Sequence, residues 1–252
     1  MNVVVNGLMA NYQKVGKGKT LVLLPGWGGT IATFPKLTEK LQGNYEILAL
    51  DLPGFGGTQA PPAAWGISDY SKFVNDWLVK LGVTPFTVLG HSFGGAVAME
   101  LASQNHFKKI ILLSSAGRRN RQPIRKGALR TISKVGKVPL YLLPPAKRRQ
   151  LKRKFYKSIG SDAMLLPHME ETYRRIINED MRPAAAKIIQ PTLLIYGAQD
   201  KETPPEDGKI LHGIIKGSEL HILDGGHFLQ QQEPQQLAEL IINFLQVGAK
   251  DV

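Results

Sequence analysis

Short, uninterrupted apolar runs recur along the chain, and each is closed by a glycine-rich turn. Thr20–Leu24 runs into Pro25-Gly26-Trp27-Gly28-Gly29, and Tyr45–Leu50 into Asp51-Leu52-Pro53-Gly54-Phe55-Gly56-Gly57. Phe86–Leu89 runs into Gly90-His91-Ser92-Phe93-Gly94-Gly95. Apolar runs without alternation are the pattern of strands buried on both faces, as in a parallel sheet. Ahead of them, Val3–Val5 and Leu8–Tyr12 alternate around Asn6-Gly7, which predicts a hairpin. Between the runs the period changes to that of a helix. Thr33–Leu41 places Phe34, Leu37 and Leu41 on one side. Asp69–Leu81 places Tyr70, Phe73, Val74, Trp77, Leu78 and Leu81 on one stripe, with Ser68 as the expected cap. A helix over Gly95–Gln104 follows the serine turn. Strands at Lys109–Leu113, Thr192–Tyr196 and Glu219–Leu223 and a closing helix from about Pro234 to Leu245 complete the series. Alternating strands and helices with right-handed crossovers predict an α/β core around a mainly parallel sheet of about eight strands.

Residues 117–187 break this rhythm. They hold helical patterns and Pro139, Pro144, Pro145 and Pro167, and no strand pattern returns until Thr192. A mostly helical insertion between two sheet strands is the economical reading, giving a core of residues 1–116 and 188–252. Charge marks the same segment. From Arg118 to Lys157 there are fifteen Lys or Arg and no acid, and residues 117–187 carry a net charge of +14 out of +12 for the whole chain. The rest of the chain is therefore slightly acidic.

Composition narrows the class further. With 252 residues, 43% hydrophobic and 21% charged, the chain is of a size that buries roughly 70–75% of its unfolded surface, so disorder is excluded for its bulk. Cysteine is absent, which excludes disulfide scaffolds, thiolate metal sites and cysteine nucleophiles. The six histidines form no HExxH or HxH pair, and no nucleotide or flavin motif occurs, so no cofactor or metal is expected. No apolar run approaches the ~18–20 residues of a membrane span, and the N-terminus lacks a signal-peptide pattern. A cytoplasmic location is the expectation.

The strongest chemical signal is Gly90-His91-Ser92-Phe93-Gly94. The pattern G-x-S-x-G is short, but here an apolar strand precedes it and a helix follows it. A serine on so sharp a turn needs small residues two positions away on either side, and the turn lifts its hydroxyl above the sheet edge beside helix N-terminal amides. A glycine-rich turn with an incidental serine would share the local pattern but not this context.

With this elbow, the Pro25–Gly29 loop, Asp51-Leu52-Pro53-Gly54-Phe55-Gly56, Tyr196-Gly197-Ala198-Gln199-Asp200 and Gly225-Gly226-His227-Phe228, the chain resembles the α/β-hydrolase superfamily over nearly all of residues 1–115 and 188–250. Serine, acid and histidine come in that family's order. The resemblance implies that residues 117–187 form a helical cap inserted after the sixth strand.

Each candidate role also has a physical reason. A serine hydroxyl needs a base within hydrogen-bond reach, and His227 lies in a glycine-led loop after the last strand, where it can return over the sheet edge. Asp200 follows a strand and is the natural acid to hold the imidazole tautomer. Asp207 and Asp224 compete with it, but Asp224 lies only three residues before His227. His91, His106, His168, His212 and His221 lack this context and are assigned to packing or the surface. The resemblance makes the backbone N–H groups of Trp27 and Phe93 the oxyanion hole, with the Trp27 ring lining the pocket. Many relatives have His-Gly before the oxyanion residue, whereas this chain has Pro25-Gly26, which keeps the amide and loses the histidine's contacts. Asp51 is read as a loop stabiliser.

The implied activity is that of a serine hydrolase, a carboxylesterase cleaving a small or medium ester through an acyl-enzyme. The alternatives are carbon–carbon cleavage of vinylogous diketones left by aromatic ring fission, and acyl transfer on the same triad. A non-catalytic protein binding anionic ligands or a membrane surface is the reading from another class. It is disfavoured because Ser92, Asp200 and His227 are all present. A serine in place of an aspartate argues against epoxide hydrolase or dehalogenase chemistry. The basic segment is read as a solvated lid face. The sharper reading is weak contact with anionic membranes, in which Leu151 and Phe155 share one face of Lys147–Lys157 and the apolar Val138–Leu143 lies nearby. A small-molecule ester or ketone is the expected partner, and the basic segment would suit an anionic one; nucleic acid is not expected, since no binding module accompanies the charge.

Overall fold

A computed structural model of the chain describes residues 1–104, 107–117 and 166–247. Eight strands form one sheet: β1 (Asn2–Val5), β2 (Leu8–Val15), β3 (Lys19–Leu24), β4 (Tyr45–Leu50), β5 (Phe86–His91), β6 (Lys109–Leu113), β7 (Thr192–Gly197) and β8 (Glu219–Leu223). They lie in the order β1-β2-β4-β3-β5-β6-β7-β8. The β1–β2 and β2–β4 pairs are antiparallel and all others parallel. The first hairpin turns at Asn6 and Gly7, both at positive φ (49° and 80°), as a two-residue turn between twisted strands requires.

Why the central strands are apolar without alternation is now visible. In β3, Val22 and Leu24 face one core while Leu21 and Leu23 face the other. β6 does the same with Ile110 and Leu112 against Ile111 and Leu113, and β7 with Leu194 and Tyr196 against Leu193 and Ile195. Helices cover both faces, so both sets of side chains leave water. On one side lie α2 (Ile67–Lys80) and α3 (Phe93–Gln104), and on the other α1 (Pro35–Leu41) and the closing helix, α8 (Pro234–Gln246).

Two local expectations change. The helix expected from Asp69 begins at Ile67, and its cap is not Ser68. Gly66 is extended there, and the Asp69 carboxylate accepts the Gly66 N–H at 2.8 Å, which satisfies an orphan amide and places negative charge at the positive end of the helix. Ser68 lies within the first turn and donates to Glu100 instead. A helix at Pro205–Ile214 (α6) fills a stretch to which the pattern assigns no element.

Between β6 and β7, the described part of the insertion adds α4 (Glu170–Ile176) and α5 (Arg182–Ala185). Met169, Ile176, Met181 and Ala185 are buried in the α2–α3 core. The Glu179 carboxylate accepts the Ile67 N–H at 3.1 Å, and the Thr172 hydroxyl accepts the Trp65 N–H at 3.1 Å. The basic run and the segments at 138–143 and 147–157 lie outside the described residues. No helix among the described residues is long and apolar enough to cross a membrane. The loops at the carboxyl ends of β3, β4, β5, β7 and β8 all open on one edge of the sheet, where α/β folds build their sites.

Candidate active site

β5 ends at His91, and the chain then doubles back into α3 at Phe93. Ser92, between them, has φ +52°, a left-handed conformation costing about 1–3 kcal/mol that persists only where surrounding structure fixes it. Here the Ser92 N–H donates to the Leu113 carbonyl at 3.0 Å, and its carbonyl accepts the N–H groups of Gly95 and Ala116 at 3.0 and 3.1 Å. The turn also needs its glycines. A Cβ on Gly94 would stand 2.3 Å from the Leu24 carbonyl oxygen and 2.5 Å from that of Pro25. The helix start therefore rests directly on the end of β3.

The same close approach brings the Pro25–Gly29 loop to the elbow. A Cβ on Gly26 would stand 3.2 Å from Ser92 Cβ and 3.1 Å from His91 Nδ1. Trp27 follows, and its ring meets Phe93 edge-on at 5.6 Å, Phe55 at 4.8 Å and Tyr173 of α4 at 5.1 Å between centroids. The Trp27 ring is thus half-buried in an aromatic wall beside the serine. As the first residue of α3, Phe93 has an N–H with no partner inside the helix.

Asp200 and His227 are brought together from separate loops. His227 Nδ1 lies 2.8 Å from Asp200 Oδ2, both side chains buried. The carboxylate is otherwise saturated: Oδ1 accepts the N–H groups of Glu202 and Thr203 at 2.8 and 3.0 Å, and Oδ2 accepts the Thr203 hydroxyl at 2.9 Å. Burial alone would push the Asp200 carboxyl up. The His227 bond, the Thr203 amide and the imidazole's charge outweigh it and hold the group at about 2. Asp200 is therefore an anion at any working pH, able to fix a tautomer with Nδ1–H toward itself. Asp224 bonds to Gln199 instead.

The Glu202 carboxylate lies 3.4 Å from His227 Nε2, and among the described residues no hydrogen bond joins Nε2 to the Ser92 hydroxyl. Catalytic hydrogen bonds are commonly long without substrate and close only around it.

Asp51 carries out the structural role expected of it. Buried, it accepts the Ile31 N–H at 2.7 Å, the Asn11 amide at 2.7 Å and the Gly57 N–H at 2.9 Å, tying the loops after β3 and β4 to β2. His168 and His212 are exposed, His221 is half-buried, and His106 lies outside the described residues. His91 is different. It is buried beside Ser92, with Nε2 2.8 Å from the His227 carbonyl oxygen. Sequence reasoning missed this contact, and also missed Thr203, whose hydroxyl lies 2.9 Å from both the Asp200 carboxylate and the Ser114 carbonyl oxygen, with one proton to give to either. An aspartate that opens a turn after a strand signals an Asx turn, in which its carboxylate accepts the N–H two residues on, here that of Glu202; the Thr203 hydroxyl contact and the His91 contact, which spans 136 positions, left no signal. Among the described residues, no group of three His, Asp or Glu is placed to hold a metal ion.

Comparison with known proteins agrees with this architecture. An uncharacterized hydrolase of Bacillus subtilis (strain 168), YugF, is 28% identical over 96% of this chain and 94% of its own length. A 2-hydroxy-6-oxononadienedioate/2-hydroxy-6-oxononatrienedioate hydrolase of Klebsiella pneumoniae is 26% identical over 91% of this chain and 88% of its own. The crystal structure of a membrane phospholipase A superposes with a TM-score of 0.79 at 23% identity, covering 100% of this chain and 86% of that one, a likeness of fold. The model of the α/β-hydrolase fold family matches residues 19–234, most of the chain, and with the sheet order and the serine turn this establishes that the protein belongs to the α/β-hydrolase family.

Proposed function

We propose that the protein is a serine hydrolase that cleaves a small or medium carboxylic ester through an acyl-enzyme, with Ser92, His227 and Asp200 as its triad. The observation that carries the reading is the left-handed Ser92 at the sheet edge shared with the buried His227–Asp200 pair. In this reading Ser92 Oγ attacks the ester carbonyl carbon while His227 Nε2 takes the hydroxyl proton. The negative charge that develops on the carbonyl oxygen is held by the N–H groups of Trp27 and Phe93. His227 then gives its proton to the departing alcohol, leaving the acyl group on Ser92. Water, deprotonated by the same imidazole, releases the acid and restores the serine. Asp200 stays ionised throughout and stabilises the imidazolium. The aromatic wall of Trp27, Phe55, Phe93 and Tyr173 suits an apolar acyl or alcohol group. Residues 117–187 are proposed to form the cap over this site, and their net charge of +14 would favour a substrate carrying an anionic group.

One observation favours a second reading. The Klebsiella relative is named as a hydrolase of 2-hydroxy-6-oxononadienedioate and 2-hydroxy-6-oxononatrienedioate, and we propose carbon–carbon cleavage on the same residues as the alternative.

Hydrolysis of p-nitrophenyl esters from acetate to dodecanoate, with Ser92→Ala in parallel, separates these readings. Turnover abolished by Ser92→Ala is the expected result, and the chain-length optimum sizes the pocket. Turnover that survives the substitution refutes the assignment of Ser92. Inert esters, with cleavage of a 2-hydroxy-6-oxo dienoate abolished by Ser92→Ala, would replace the ester reading with the alternative.

A further inference from the structure

His91 and His227 are the buried histidines among the described residues. His227 has a role in the proposed reaction; His91 does not. Yet β5 delivers His91 and Ser92 as consecutive residues. Ser92 turns upward through its left-handed φ, while the His91 ring turns inward and lies 4.8 Å from the His227 ring and 5.5 Å from that of Phe228. Its Nε2 is 2.8 Å from the His227 carbonyl oxygen. A carbonyl only accepts, so Nε2 carries the proton and Nδ1 is bare, and Nδ1 has no hydrogen-bond partner.

The loop bearing His227 is otherwise held on either side of the histidine, where the Gln199 N–H donates to the Gly225 carbonyl at 2.8 Å and the Gln231 N–H to the Phe228 carbonyl at 2.9 Å. It leaves β8 at Leu223 and enters α7 (Leu229–Gln232) after five intervening residues. Its amides at Gly225 and Gly226 donate to the side chains of Gln199 and Gln232, both in exposed positions. The His91 contact is buried, where a hydrogen bond gains strength from the low dielectric and its loss leaves a carbonyl without a partner. Asp200 sets the rotation of the imidazole through Nδ1, but a ring rotated correctly on a displaced backbone would still miss the serine.

We propose that His91 is a positioning residue for the reaction: it fixes the His227 main chain relative to Ser92, its own neighbour in sequence, so that one strand end carries the nucleophile and the anchor of its base. The inference rests on the Ser92–His227–Asp200 reading.

Two substitutions separate anchor from filler. His91→Phe keeps a ring against His227 and Phe228 but has no donor. His91→Gln offers an amide N–H near the place of Nε2. The readouts are the rate of acylation by a fluorophosphonate probe per folded molecule, and kcat and KM on an ester that the protein turns over. Since displacement of about 1 Å at a reacting group can cost roughly a hundredfold, His91→Phe is expected to lower the acylation rate and kcat by roughly ten- to a hundredfold with little change in KM. His91→Gln is expected to retain most of both rates. A wild-type rate in His91→Phe, or a His91→Gln as slow as His91→Phe, overturns the proposal. Probe labelling that survives Ser92→Ala instead refutes the triad reading, and so the two failures are distinct. If His91→Phe does not fold, nitrogen-15 spectra of the wild type decide. A buried histidine protonated on Nε2 and silent from pH 5 to 9 upholds the anchor, and protonation on Nδ1 overturns it.

Discussion

Lowering the pH from 7 to 5 should destabilise the protein by about 2 kcal/mol through His91 alone. Burial, first, and then the neighbouring His227 hold the His91 imidazole at about 3, against the opposing pull of the His227 carbonyl and Asp200. An unfolded histidine titrates near its ordinary value of 6.5. Below that value the unfolded chain binds a proton that the folded chain refuses. The stability is therefore intact above pH 6.5 and is lost as pH falls from 6.5 toward 3. Each pH unit fully inside that window costs about 1.4 kcal/mol; the step from 7 to 5 covers about one and a half units. Across the whole window the loss reaches the order of 5 kcal/mol, comparable with the entire stability of many domains. Asp200 does not confound the measurement, since its carboxyl is held at about 2 and its contribution is lost only at much lower pH. The assay is urea unfolding at pH 7 and pH 5 for the wild type and His91→Gln, whose amide does not titrate. All other groups are common to both proteins and cancel in the difference between the two pH effects. A pH-dependent loss in His91→Gln equal to that of the wild type would refute the reasoning.

Asp200→Asn keeps the shape of the acid but removes its charge and favours the wrong tautomer of His227, and kcat on an ester substrate is expected to fall on the order of 10³–10⁴-fold. Steady-state kinetics checks this, and a loss below tenfold would count against Asp200 as the orienting acid. Gly94→Ala forces a Cβ to within 2.3 Å of the Leu24 carbonyl oxygen. Because the opposing atom is backbone and cannot rotate away, the cost is expected to reach at least about 3 kcal/mol, the upper part of the overpacking range. Thermal or urea unfolding reads it directly, together with loss of probe labelling at Ser92.

Much of the fold was legible because its signals are local. The continuous apolar runs of β3, β4, β5 and β6 mark strands covered on both faces, and their side chains do divide between two cores. The boundaries of β4, β6 and β8 coincide with the apolar runs that predict them. Gly90 and Gly94 around Ser92 report a backbone reversal that larger residues cannot make, so the elbow too was written locally. The cap of α2 was misassigned because Ser68 and Asp69 both resemble capping residues, and only the extended backbone at Gly66 decides between them. Asp200 and His227 could be placed on their loops from the sequence, each after a strand, with Asp224 set aside by its spacing from His227.

What the sequence could not determine is how those loops are held against one another. The 2.8 Å contact of Asp200 with His227, the Thr203 hydroxyl placed between Asp200 and Ser114, and the bond from His91 to the His227 carbonyl join strand ends and loops that meet only in the folded sheet. Periodicity and turn chemistry act over a few residues and so fix strands, helices and the serine turn. Hydrogen bonds between the carboxyl ends of β5, β6, β7 and β8 exist only once the crossovers have brought those ends together, so His91 reads as an ordinary packed histidine until the sheet is assembled.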